Sequence, residues 1–226
     1  MRWVATSKFI DFIQCLEAQP KRVVVVGGGL NDPEVVYLQR NFPEVEIDFF
    51  GIENPGVDSF TYLDLNEPSE VTSEYDLVHC AHVLEHIWDV KQGISNLVAL
   101  ARPQGLIWIN CPASAKAHGS PHYFSAGYQP RLISNLAELA GAKVMDLGQF
   151  GSRRSYIYEH TLMRWPNQGE FESPLLRMTA GSGGRIRAIL RWIKYFPQRL
   201  LASFFSSQVS DNPQNATQTL VILKKN

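Results

Sequence analysis

Strand signals alternating with helix signals predict an α/β protein, with a mostly parallel sheet covered by helices on both faces. Three observations carry this. A run of four valines, Val23 to Val26, stops abruptly at Gly27-Gly28-Gly29. Short apolar runs alternate with helix-length amphipathic segments through residue 150. The runs also end on glycine or on an acid, which suits a sheet that binds a ligand beyond the carboxyl ends of its strands.

The elements follow in order. Residues 7–18 place Phe9, Ile10, Phe12, Ile13 and Leu16 at helical spacing, and Pro20 ends the segment. The valine run, uniformly apolar and β-branched, reads as a strand buried on both faces. Asp32-Pro33-Glu34 is a helix start: an acid to cap, a proline in the first turn, a second acid behind it. That helix should end near Asn41. Residues 45–52, 60–63 and 75–80 are the second, third and fourth strands, and 87–101 is a helix. Residues 105–110 form a fifth strand and 130–140 a helix with Gly141 as its C-terminal glycine. Residues 143–147 are a sixth strand. Residues 217–224 read as a seventh, placed at an edge of the sheet after a long excursion.

Bulk properties exclude several classes. A formal net charge of −1 gives no whole-chain attraction to nucleic acid, and none is expected as a partner. The apolar runs are too short to cross a bilayer. Three cysteines, Cys15, Cys80 and Cys111, with no CxxC pair, suit reduced thiols and a cytoplasmic location.

The candidate site lies at successive strand ends. Glycines 27–29 allow backbone N–H groups to approach a ligand beside a helix N-terminus. The dinucleotide pattern GxGxxG fails, because Asp32 holds its sixth position. Glu53, after the second strand, can accept from ribose hydroxyls, and Asp64, after the third, from an adenine amino group.

The stretches VVVVGGGL, IDFFGIENPG, YLDLNEP, YDLVHCAHVLEHIWD and ARPQGLIWINCPA together resemble the class I S-adenosylmethionine-dependent methyltransferases. They resemble the small-molecule enzymes of that superfamily, including ubiquinone-biosynthesis-like and sugar-modifying members. The segment HGSPHYFSAGYQPRLISNLAELAGAKV adds to it, and the resemblance covers about residues 23–151. It implies a Rossmann-like three-layer α/β/α sandwich whose seven-stranded sheet has an antiparallel last strand. It implies one domain over residues 1–226, with a helical lid-like insertion at about 152–215. It also implies S-adenosylmethionine as cofactor, S-adenosylhomocysteine as product and a small-molecule acceptor, oxygen by preference. Gly27, Gly28 and Gly29 would line the cofactor, and Glu53 would hold its ribose. Asp64 and Leu65 would face the adenine, and Cys80 and Ala81, just after the fourth strand, the methionyl part. Two positions depart from the family. Val25 stands where an acid is usual, and Asn31 where a later glycine is usual. Asp32 is the candidate replacement for the missing acid.

His118, His122 and His86 are the candidate catalytic residues, each weighed against a purely structural hydrogen bond. Tyr123 and Phe124 either wall the acceptor pocket or belong to the core. His82-Val83-Leu84-Glu85-His86 fits the HxxEH pattern of zinc peptidases, but that pattern needs a long helix, and here it directly follows a strand. No metal is therefore expected. Residues 185–205, from Arg185 to Phe205, pair an apolar stripe with Arg187, Arg191 and Lys194. They suit a lid, a homodimer surface, or a helix lying on a membrane or on a lipid-linked substrate. A catalytically degenerate binding protein, an NAD(P)-dependent oxidoreductase and a zinc hydrolase stand as alternatives, in that order.

Overall fold

The structure, a computed structural model, describes residues 2–71, 74–115, 121–151 and 216–226. The expected helical insertion at 152–215, the Arg185–Phe205 stretch and His118 lie outside the described residues.

The helices are α1 (Arg2–Gln14), α2 (Pro33–Asn41), α3 (Val90–Leu100) and α4 (Pro130–Leu139). The strands are β1 (Arg22–Val26), β2 (Glu46–Gly51), β3 (Phe60–Tyr62), β4 (Tyr75–Ala81), β5 (Ala101–Pro112), β6 (Ala142–Phe150) and β7 (Gln218–Lys225). They form one seven-stranded sheet in the order β3-β2-β1-β4-β5-β7-β6. Neighbours from β3 to β5 pair in parallel, and β7 is antiparallel to both β5 and β6. The sandwich and the antiparallel last strand are as expected. The edge position is not: β7 sits between β5 and β6. All of β7 from Gln218 to Leu223 is buried, so the strand needs a partner on each side to satisfy its backbone.

The valine run is the axis of the core. Val24 and Val26 face Ile94, Leu97 and Val98 of α3 and Ile133 of α4. Val23 and Val25 face Phe9 and Ile13 of α1 and Val35 and Leu38 of α2. Alternate side chains thus enter two separate apolar layers, which is why every position had to be apolar. Trp108 on β5 fills the second layer, with Phe9 set edge-on at 5.3 Å and Phe12 tilted against it at 5.2 Å.

The limits of α1, α3, β5 and β6 differ most from the sequence reading: α1 begins at Arg2 rather than Ser7, and β6 runs to Phe150 rather than Leu147. Helix α1 ends at Gln14 rather than near Ala18, with Cys15 closing on the carbonyls of Asp11 and Phe12. Helix α3 begins at Val90 rather than Ile87, capped by Asp89 accepting from the Gln92 N–H at 3.0 Å. Strand β5 begins four residues early, at Ala101. Ala101 pairs with Tyr75, the register then slips, and pairing resumes at Leu106 with Leu77. Gln104 takes the left-handed conformation (φ 65°) in this bulge. Gly105 is obligatory beside it, since a Cβ would stand 2.7 Å from the Tyr75 carbonyl oxygen.

Asp76 fastens the amino ends of β1 and β5 to β4. Its Oδ2 accepts from the backbone N–H groups of Lys21 and Arg22, and its Oδ1 from Arg102 Nε. Burial alone raises the Asp76 pKa, but these three donors outweigh it and hold the carboxyl below its ordinary 3.8. A depressed folded pKa stabilises above the unfolded value, and the stabilisation fades as pH falls through the folded one. Asp76→Asn is expected to cost about 1–3 kcal/mol at neutral pH. Urea denaturation should show the gap between variant and wild type closing below about pH 4.

Candidate functional site

Four neighbouring strands, β3-β2-β1-β4, deliver their carboxyl ends to one edge of the sheet. At β1 the ladder runs one residue past the strand, with the Gly27 N–H donating to the Phe50 carbonyl at 2.7 Å. Gly27 then turns into the left-handed region (φ 69°). A Cβ there would also stand 2.5 Å from Val83 Cγ2, so the turn packs directly on the chain leaving β4. Asp32 closes the turn by accepting from the Gly29 N–H at 2.9 Å. Its carboxylate is thus held within the glycine turn at the start of α2. Val25 is buried in the layer under α1 and α2, so β1 brings no acid to the site.

Glu53, two residues past β2, is exposed, and its carboxylate takes no hydrogen bond from the described residues. The following turn is built by Asn54, whose Oδ1 accepts from the N–H groups of Gly56 and Val57. Asp64, two residues past β3, is half-buried. Its Oδ1 accepts from both the N–H and the side-chain amide of Asn66, at 2.8 and 2.9 Å. Asn66 in turn accepts from the N–H groups of Trp88 and Asp89. This chain of bonds ties the end of β3 to the start of α3. The sequence reading missed Asn66; its only signal was the Asp-x-Asn spacing of a side-chain turn.

Leu65 and Cys80 send their side chains into the core layer under α3 and α4. Either residue would meet a ligand through its backbone. Cys80 and Ala81 are the last two residues of β4 rather than the first two beyond it. Burial pushes the Cys80 and Cys111 thiols up, and the nearby Glu85 charge adds to the rise.

Beyond β4 the HxxEH segment does not form a helix that could align two imidazoles. His82 is left-handed (φ 58°), and only Leu84–His86 make a single 3-10 turn. Among the described residues no three His, Cys, Asp or Glu side chains gather as a metal site. The segment instead holds the loop after β5. The Glu85 carbonyl accepts from the N–H groups of Phe124 and Ser125 at 2.9 and 3.3 Å. His86 Nδ1 lies 2.5 Å from the His122 carbonyl oxygen, so it carries the proton and donates. Tyr128 donates to the Leu84 carbonyl at 3.2 Å. The His122 ring itself is exposed, and what the fold uses is its backbone. Tyr123 is half-buried against His86, at 6.2 Å between rings, and donates to the Ala115 carbonyl. Phe124 is 51% exposed and does not belong to the core.

Glu85, which the sequence offers only within the zinc pattern, takes a different place here. Its side chain is fully buried, and neither carboxylate oxygen has a hydrogen-bond partner among the described residues. His82 Nδ1 is 3.6 Å from it and His86 Nε2 is 4.0 Å. Burial raises the pKa of both Tyr123 and Tyr128, and the Glu85 charge raises each further.

No family model matches the chain, and no curated protein matches it in sequence. Solved structures do match. Coclaurine N-methyltransferase, bound to N-methylheliamine and S-adenosylhomocysteine, aligns at a TM-score of 0.57 and 11% identity, over 99% of this chain and 72% of its own. The cyclase SpnF aligns at 0.56 and 12% identity, over 98% and 80%. Phosphoethanolamine N-methyltransferase 2 of Haemonchus contortus, in complex with S-adenosyl-L-methionine, aligns at 0.55 and 13%, over 99% and 52%. At these identities the likeness is one of fold. The chain has the Rossmann-like fold of the S-adenosylmethionine-dependent methyltransferases. Among the described residues no helix is long and apolar enough to cross a membrane.

Two outcomes are expected from this geometry. Gly27→Ala combines a left-handed backbone with overlap on Val83, and should cost about 1–3 kcal/mol in chemical denaturation. Iodoacetamide should label exposed Cys15 in the native protein and spare Cys80 and Cys111, as read by peptide mass spectrometry.

Proposed function

We propose that the protein binds S-adenosylmethionine at the carboxyl ends of β1 to β4 and transfers its methyl group to a small-molecule acceptor, with oxygen the preferred acceptor atom. One observation carries this reading. The left-handed glycine turn, Glu53 and Asp64 stand at the ends of three strands that are neighbours in the sheet.

The residues present fit such a ligand. The Glu53 carboxylate is exposed and takes no hydrogen bond from the described residues, so both oxygens can accept from vicinal ribose hydroxyls. Asp64 spends one oxygen on Asn66 and keeps the second for an amino group. The glycine turn offers backbone N–H groups without side chains in the way. Bound S-adenosylmethionine supplies a methyl already activated by the positive charge on sulfur. What remains for the chain is to align the acceptor, exclude water and accept a proton where the acceptor carries one. We assign the alignment to the loop after β5, whose described part is held by Glu85 and His86, with His122, His118 and His86 as the candidate proton-handling groups.

A second reading is a binding protein that has lost catalysis. Buried Val25 favours it, because β1 lacks the acid that the ligand's amino group would meet.

Calorimetric titration with S-adenosylmethionine and S-adenosylhomocysteine separates these. Binding in the micromolar range is expected, weakened tenfold or more by Glu53→Ala, which is about 1.4 kcal/mol or more. No heat from either ligand at about millimolar concentration rejects the first reading and is compatible only with the second. Binding without turnover of any acceptor likewise leaves the second.

A further inference from the structure

We infer that His82 is a proton-accepting residue of this site and that buried Glu85 is its positioning residue, holding Nδ1 protonated and leaving Nε2 free. The inference deepens the proposed methyl transfer and rests on it for the identity of the reaction.

Three observations place the pair. The first is the left-handed backbone of His82 (φ 58°), a conformation uncommon for a non-glycine residue. The His82 N–H donates to the Asn110 carbonyl at 2.8 Å, fixing the residue at the point where β4 and β5 both end. Val83, next in the chain, packs on Gly27, so the residue stands beside the glycine turn. The second is Glu85. A buried carboxylate with neither oxygen hydrogen-bonded is costly, and it is kept where something is gained from it. The third is distance. His82 Nδ1 is 3.6 Å from Glu85 Oε1, nearer than His86 Nε2 at 4.0 Å. Such contacts commonly tighten when a ligand fills a site. His86 is occupied otherwise, since its Nδ1 serves the His122 carbonyl. The His82 side chain is 28% exposed, so its far nitrogen can reach a ligand.

The chemistry balances. As the acceptor oxygen forms its bond to the methyl carbon, the carbon–sulfur bond breaks and its electron pair stays on sulfur. The acceptor's proton passes to His82 Nε2. The imidazolium then sits beside the Glu85 carboxylate and releases the proton to solvent. A carboxylate behind an imidazole in this way selects its tautomer and stabilises its charged form.

The test needs no acceptor. The full chain, labelled with nitrogen-15 histidine, reports the tautomer of each neutral ring by NMR, with His82→Gln to assign the signal. His82 is expected as the Nδ1–H tautomer in the wild type. Glu85→Leu should turn it toward the Nε2–H form that free histidine favours. A wild-type His82 already in the Nε2–H form overturns the inference, even if the variant fails to fold. An unchanged tautomer in a folded Glu85→Leu protein overturns it as well. Adding S-adenosylhomocysteine should shift the His82 signal. Binding heat without that shift places His82 away from the ligand and also overturns it. Absence of binding heat rejects the methyl-transfer reading, and the inference that rests on it, while the tautomer result still decides whether Glu85 orients His82.

Discussion

The parallel pairing of β1 between β2 and β4 is the constraint on which the rest of the molecule depends. Its four valines are buried on both faces, and both its edges are hydrogen-bonded. A strand so enclosed can leave the sheet only at its end. The chain does so through Gly27, which keeps the last ladder bond to Phe50, turns left-handed and leaves no room for a side chain against Val83. The ends of β2, β3 and β4 are then set by register against β1. Glu53, Asp64 and His82 arrive at one edge because the pairing puts Val26 beside both Phe50 and Cys80.

Around that edge the loops are tied to one another more than to solvent. Asp64 holds Asn66, and Asn66 holds the start of α3. The 3-10 turn after β4 holds the loop after β5 through the Glu85 carbonyl, His86 and Tyr128. Most of these bonds join a side chain to a backbone. Each fixes a loop by the geometry of a single residue, so the site edge is firm without regular structure. Glu85 is the exception in kind: its backbone stabilises the loop, while its side chain is buried at a cost that the loop alone does not explain.

Much of the fold was legible because parallel α/β architecture repeats one pattern. A buried strand must be apolar throughout, and the helices that cover it must carry a stripe, so the valine run and the segments at α2, α3 and α4 declare themselves. The limits of α3 and β5 were less legible. Asp89, a capping residue, and the bulge at Gln104 depend on which neighbour the chain meets, not on local periodicity. The sequence reading puts β7 at an edge, and the structure puts it inside the sheet. Its run of buried residues suits an edge covered by helices and an interior place equally, and only the antiparallel partners β5 and β6 decide between them.

By itself the sequence determined the layers, the strand count and the residues at the strand ends, because each follows from apolar period and from the residue types that stop a strand. Tertiary structure alone decided what those residues do. It withdrew Leu65 and Cys80 into the core, spent His86 and the backbone of His122 on the loop, and closed Asp32 onto the glycine turn. It also buried Glu85 beside His82, two residues the sequence had offered only as part of a zinc pattern. The physical reason is one of scale. Periodicity is set by neighbours three or four residues away, whereas a buried carboxylate is defined by strands and loops brought in from Cys80 to Tyr128.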